Sequence, residues 1–206
     1  MTLSLLLLVF AFFFGSIPWG YIIGKLKGVD LRKVGSGNIG ATNVLRIIGK
    51  KEALITLLLD ISKGVIPVLV VKMLPSYGDN LLLMGLVGIF SILGHCYTPF
   101  LKFKGGKGVA TSIGVLLAYM PLAGLITILI WIITFKISKI SSVGALISFA
   151  LLPVNAYLLN YSEEVKLFAF LFTAIIYLRH IQNIKRLLKG TESKIGEKNE
   201  KGCDTN

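Results

Sequence analysis

Charge is what this 206-residue sequence has least of: only 16% of its residues are Asp, Glu, Lys or Arg, where a soluble domain carries roughly 25%. Too few charges remain to clothe a water-facing surface. Acidic residues are scarcer still, 10 against 22 Lys and Arg, for a net charge of +12. Cysteine is nearly missing. Cys96 and Cys203 cannot build a disulfide framework, and with His95 and His180 as the only histidines no Cys/His spacing resembles a zinc site. Disorder is excluded as well, because 54% of residues are hydrophobic and the mean hydropathy is +0.79. What remains is an all-α, polytopic integral membrane protein.

Apolar runs predict seven transmembrane helices, at about 2–23, 53–74, 81–97, 105–120, 122–135, 143–159 and 165–178. No Lys or Arg precedes the first run, so it reads as a retained helix and not a cleaved leader. The fourth is short: 105–120 covers about 24 Å at helical rise, against roughly 30 Å of hydrocarbon. Breaking the chain at Met120-Pro121 is still required. One long helix there would put Lys136, Lys139 and the basic C-terminal segment outside and the Glu163-Glu164 turn inside, against the positive-inside rule. With the break, the N-terminus lies outside and the C-terminus in the cytoplasm. Residues 1–192 read as a single transmembrane domain, and 193–206 as a polar, disordered cytoplasmic tail. The basic excess would suggest nucleic acid in a soluble protein. Here it marks the cytoplasmic face, and no nucleic-acid partner is expected.

Three cytoplasmic segments are unlike ordinary connectors. In the first, Gly35-Ser36-Gly37-Asn38-Ile39-Gly40 matches the dinucleotide fingerprint in form, but that fingerprint needs a preceding strand and a βαβ unit. Its glycines free backbone N–H groups to converge on an anion, and Ser36, Asn38, Thr42, Asn43 and Arg46 add donors for an anion or polyol. In the second, Lys104-Gly105-Gly106-Lys107-Gly108 is similar to a phosphate loop. Leu101 stands where a Walker A sequence has its first glycine, and Gly108 where the Mg²⁺-binding Ser or Thr belongs, so ATP hydrolysis is not expected. A glycine turn opening a helix at Val109 survives, and a helix N-terminus is a ready phosphate site. The third segment is Arg179-His180-Ile181-Gln182-Asn183-Ile184-Lys185-Arg186, in which His180 and Asn183 share a helix face. Asp60 and Lys63 have the same spacing within a span and read as a chiefly structural pair, with a role in supporting the site as the alternative. Ser141-Ser142 are expected to cap the sixth helix, with a hydroxyl offered to the site as the alternative.

Together the segments 35–46, 94–111 and 179–192 resemble the small bacterial acyl-phosphate:glycerol-3-phosphate acyltransferase family of seven-helix membrane enzymes. The resemblance implies transfer of a fatty acyl group from acyl phosphate to the sn-1 hydroxyl of glycerol 3-phosphate. The products are lysophosphatidic acid and phosphate, the first step of phospholipid synthesis. It implies the bacterial cytoplasmic (inner) membrane, an active site facing the cytoplasm, and neither metal nor other cofactor. The implied partners are the two substrates, the bilayer, and the enzyme that supplies acyl phosphate. Carried onto this sequence, the catalytic candidates are His180, Asn183, Ser36 and Lys104. The substrate-binding candidates are Asn38, Thr42, Asn43, Arg46, His95, Gly105, Gly106, Lys107, Gly108 and Ser141.

The residue types suit that chemistry independently. Both substrates carry phosphate, which accounts for two glycine-and-base segments. An acyl phosphate is a mixed anhydride with a stable leaving group, so positioning and anion stabilisation suffice without a covalent nucleophile. The His and Asp separated by four residues in other glycerolipid acyltransferases are missing: Phe100 lies five past His95, and Lys185 five past His180. The alternative reading is a transporter or scramblase of an anionic lipid precursor. It requires polar residues through both leaflets, whereas only Asp60 and Lys63 lie deep.

Overall fold

The computed structural model describes residues 2–194; the rest of the expected tail, including Cys203, lies outside the described residues. Eleven α-helices occur among them: α1 Thr2–Ser16, α2 Trp19–Leu26, α3 Ala41–Ile47, α4 Lys50–Met73, α5 Leu81–Cys96, α6 Val109–Tyr119, α7 Pro121–Ser138, α8 Ser141–Ala150, α9 Leu152–Leu158, α10 Glu163–Arg179 and α11 Ile181–Leu188. A 3₁₀ turn, Pro99–Leu101, follows α5. In hydrocarbon every backbone N–H and C=O must find its partner within the chain, which is why apolar runs of this length become helices. Asn80 stops α5 fraying at its start, its side chain accepting the Leu83 N–H at 2.8 Å. Pro121 opens α7 at a position where the absent N–H costs nothing.

Among the described residues five segments are long and apolar enough to cross a membrane: Leu3–Leu26, Lys50–Met73, Leu81–Leu101, Pro121–Ser138 and Ser141–Leu158. A sixth counts if α10 and α11, bent by 60° at His180, are taken as one, and α6 is apolar but shorter. The first and sixth runs predicted from sequence are not continuous helices. The helix gives way at Ile17-Pro18 and again near Leu151, each time just before or at a proline, whose ring clashes with the preceding turn. The chain also breaks at Met120, immediately before Pro121.

Short α6 sits at the centre, packed against α4, α5 and α7, with Ser112 through Leu116 buried on every side. Beyond its far end Tyr119 meets Phe168 and Phe172 edge to face, at 5.9 and 6.4 Å between ring centroids. Gly64 of α4 and Gly114 of α6 make a crossing with backbone against backbone: a Cβ on either would run into the other helix, at Thr111 and Ile61 respectively. Outward faces are as apolar as the core, with Leu5, Leu58, Leu129 and Phe170 all exposed. In water that would be a defect; against lipid it is the matching surface.

Candidate active site

The loop before α3 is organised by one buried amide. Asn43 Oδ1 accepts the Ser36 N–H at 3.0 Å, while Nδ2 donates to the carbonyls of Leu31, Val34 and Asn38 at 3.2, 3.1 and 2.9 Å. That turns Ser36, Asn38, Thr42 and Arg46 toward a common space and leaves Asn43 behind them. Asn43→Ala strands a donor and three acceptors. It should cost roughly 2–4 kcal/mol, since each buried unsatisfied group costs about 1–3 kcal/mol. The expected readout is a lowered thermal midpoint together with a displaced Ser36 loop at the cavity wall.

The second segment forms a hairpin whose first two glycine amides are already engaged. Gly105 N–H donates to the Cys96 carbonyl at 3.1 Å and Gly106 N–H to that of His95 at 3.0 Å. Arg179 clamps the turn from outside, Nη2 donating to the Gly106 carbonyl at 2.9 Å while its guanidinium lies 4.8 Å from the Tyr97 ring centroid. The free donors come one step later. Ser112 N–H makes the first intrahelical bond, to Gly108 at 2.7 Å, so the amides of Val109, Ala110 and Thr111 begin α6 without intrahelical partners. Lys107 stands beside them. Burial pushes its ammonium down to about 8; Glu192 opposes that shift, and Arg186, Arg179 and Arg46 reinforce it.

In the third segment His180 Nδ1–H donates to the Ile176 carbonyl at 2.8 Å, which leaves the Nε2 lone pair to accept a proton. Gly190, with φ of 68°, lets α11 end in a Schellman turn, Thr191 N–H bonding the Arg186 carbonyl at 2.9 Å. The chain therefore doubles back and brings Glu192 onto the site. Its carboxylate accepts from Ser142 Oγ at 2.7 Å, Asn183 Nδ2 at 2.5 Å and Arg186 Nε at 2.6 Å. Burial alone would raise this carboxyl, but these hydrogen bonds and the Arg186 charge hold it below its ordinary value. The expected helix cap is corrected here: neither Ser141 nor Ser142 caps α8. Ser141 Oγ faces Thr42 Oγ1 at 3.2 Å, because the turn at Lys139 and Ile140 directs both hydroxyls toward α3 and Glu192.

All three segments border one cavity of about 670 Å³. Ser36, Asn38, Thr42, Arg46, His95, Lys107, Gly108, Ser141, His180 and Asn183 line it. Lys104, Gly105, Gly106 and Asn43 do not: Lys104 is exposed, the two glycines shape the hairpin, and Asn43 shapes the loop. Glu192 and Arg186 also line it and were not among the expected site residues; Ser142 and Asp60, for which a part at the site was the alternative reading, line it too. Glu192 had one visible signal, a lone acid after a basic helix and a glycine. Away from its polar end the cavity runs between Leu54, Leu57 and Ile61 of α4 and Ile128, Trp131, Ile132 and Phe135 of α7. Among the described residues no group of three His, Cys, Asp or Glu side chains is placed to hold a metal ion.

A family model described as glycerol-3-phosphate acyltransferase matches residues 5–190. A glycerol-3-phosphate acyltransferase of Sinorhizobium fredii is 46% identical over 196 residues, covering 95% of this chain and 94% of that protein. One from Agrobacterium fabrum is 47% identical over 185 residues, covering 89% and 88%. The chain is also similar to crystal structures of PlsY, an integral membrane glycerol 3-phosphate acyltransferase. In its glycerol 3-phosphate form the TM-score is 0.89 at 41% identity, with 94% of this chain and 96% of that one covered. In its lysophosphatidic acid form the TM-score is 0.87 at 40% identity, with 94% and 95% covered.

Proposed function

The chain belongs to the glycerol-3-phosphate acyltransferase family, and from that membership we propose that it moves a fatty acyl group from acyl phosphate to the sn-1 hydroxyl of glycerol 3-phosphate, releasing phosphate and lysophosphatidic acid. The observation that carries this reading is the two-natured cavity. Its polar end gathers Arg46, Lys107 and Arg186 with the first amides of α6, a setting for phosphate groups. Its other end is an apolar slot whose edges, Leu54, Leu57 and Ile132, are also exposed on the outer surface. A fatty chain can enter that slot sideways while its phosphate reaches the cations. A headgroup alone would need no slot.

In this reading residues 1–192 are one catalytic domain of seven crossings, α6 being the short fourth, with the N-terminus outside and the cavity mouth in the cytoplasm of a bacterial inner membrane. The acyl phosphate lies along the slot with its phosphate against Lys107 and the start of α6. Glycerol 3-phosphate is held by Arg46 and the Ser36 loop, with Asn183 completing the polar wall. The sn-1 oxygen attacks the acyl carbonyl carbon, the bond to the bridging phosphate oxygen breaks, and inorganic phosphate leaves with that electron pair. The hydroxyl proton passes either to His180 Nε2 or to an oxygen of the departing phosphate.

Purified protein mixed with acyl phosphate and glycerol 3-phosphate should release phosphate only when both are present. Acyl-CoA or acyl carrier protein should not replace acyl phosphate, and efficient use of either overturns the donor assignment. The fate of the proton is read from His180→Ala. If Nε2 is the base, kcat falls by roughly 10²–10⁴ and the acid limb of the pH profile flattens. Retained activity with an unchanged profile assigns the proton to the phosphate oxygen.

A further inference from the structure

The apolar slot that leads away from the polar end of the cavity is short. Its walls run from Leu54 to Ile61 on α4 and from Ile128 to Phe135 on α7, about two turns of each helix, or about 10 Å at helical rise. A fatty chain reaches through one leaflet, about half of the roughly 30 Å hydrocarbon layer, so it is longer than the slot. Leu54, Leu57 and Ile132 at the edges are exposed, which lets the surplus carbons pass out between α4 and α7 into lipid. What the walls can gauge is the part of the chain next to its carbonyl.

One side chain dominates that part. Trp131 is the largest residue on the α7 wall, and unlike Ile128, Ile132 and Phe135 beside it, it carries a polar atom. Its indole Nε1 is buried with no hydrogen-bond partner among the described residues. No polar contact holds the ring, so packing must. Phe135, one turn on, stacks against it with 5.0 Å between ring centroids and 18° between planes. The five-membered edge of the indole lies against Gly144 of α8: a Cβ there would be 3.1 Å from both Cδ1 and Nε1 of Trp131 and 3.2 Å from its backbone oxygen. Carbon atoms in good contact stand about 3.5–4.0 Å apart, so the bare glycine is what gives the ring its seat.

Gly144 also fixes where along the slot the ring stands. It lies one turn of α8 beyond Ser141, whose hydroxyl faces Thr42 at the polar end. The indole therefore occupies the neck, where the polar chamber narrows into the apolar slot, with α8 packed behind it. We infer that Trp131, seated on Gly144, is a specificity-determining residue. It gauges the width of the acyl donor beside the carbonyl, admitting a straight chain and rejecting one branched at its first carbons. The far end of the chain, beyond the slot, goes unread. This rests on the acyl-phosphate reading of the cavity and adds to it which chains the cavity takes. Gly144 acts through the ring and is a positioning residue.

Internal competition reads the gauge directly. The protein receives glycerol 3-phosphate with an equimolar pair of donors: palmitoyl phosphate and its homologue methylated at the carbon next to the carbonyl. Mass spectrometry of the two lysophosphatidic acids gives the ratio of kcat/KM values. A second pair carries the methyl at the far end of the chain. The intrinsic reactivity of each donor cancels when variants are compared. Trp131→Leu should lower the preference for the straight over the near-branched donor about tenfold, the low end of what one carbon is worth in an apolar pocket. Gly144→Ala presses the ring into the neck and should raise that preference. Neither should move the far-branched ratio. If Trp131→Leu does not fold, Gly144→Ala still decides, since alanine favours a helix interior over glycine. A near-branched ratio that ignores the variants, or that moves together with the far-branched one, overturns the gauge and leaves the activity standing. An unmodified protein that makes no lysophosphatidic acid from palmitoyl phosphate overturns the functional reading, and the gauge with it.

Discussion

Gly114→Leu is expected to leave little folded protein. A Cβ at residue 114 would meet the Ile61 carbonyl of α4, and one at residue 64 would meet the Thr111 carbonyl of α6, so backbone faces backbone at this crossing. No rotamer change relieves such a contact; the helices must separate. Membrane helices without a solvent-driven attraction depend on close approach at small residues, so the separation forfeits packing along the whole α4–α6 seam. Overpacking of this kind costs roughly 1–3 kcal/mol or more. The thermal midpoint in detergent should fall by on the order of 10 °C. Because the first turn of α6 lines the cavity, whatever protein survives should be nearly inactive. Leu58→Ala, at a 58% exposed lipid-facing position, serves as the control and should stay within about 0.5 kcal/mol. Equal thermal midpoints for the two variants would refute the crossing as the keystone of the fold.

Lys107 gives the largest expected kinetic effect. Lys107→Ala removes the charge beside the free amides of α6 and should lower kcat/KM for the acyl donor by roughly 10²–10³, the usual loss for one preorganised anion-stabilising group. Its pH dependence is the sharper test. Burial holds the Lys107 ammonium down at about 8, so the protonated form that a phosphate needs is present below that pH and lost as pH rises through it. The unmodified enzyme should therefore lose kcat/KM for acyl phosphate above about pH 8. Lys107→Arg keeps its charge throughout the accessible range and should abolish that alkaline limb, even if its absolute rate is lower. A limb that persists in the arginine variant would assign the titration to another group.

The sequence made the membrane character, the three converging segments and ten of the residues that line the cavity legible, because each depends on local composition: apolar runs, glycine beside base, histidine beside asparagine. Long-range placement was not legible. Lys104 and Lys107 look equivalent in sequence, yet a hairpin with left-handed backbone at Lys102 and Phe103 turns Lys104 to the exterior and Lys107 inward. Gly105 and Gly106 resemble phosphate-binding glycines, but their amides close the hairpin on His95 and Cys96. Ser142 has the residue type of a helix cap, and what draws it away is Glu192, fifty positions later in the chain. Such choices are made by tertiary partners, which no window of sequence contains. The broken helices at Pro18 and Pro153 were visible as prolines, although the apolar runs around them read as single spans.

The aromatic cluster that closes α6 bears on how such a molecule coexists with an energised bilayer. The lining along α6 runs through Val109, Ala110 and Ile113, and Tyr119, Phe168 and Phe172 fill the bundle beyond it. Among the described residues the chamber is thus a blind alcove, polar at one end, open along the slot between α4 and α7, and closed beyond α6. On the proposed reaction a greasy product would depart as its parent arrived, laterally, into the same leaflet.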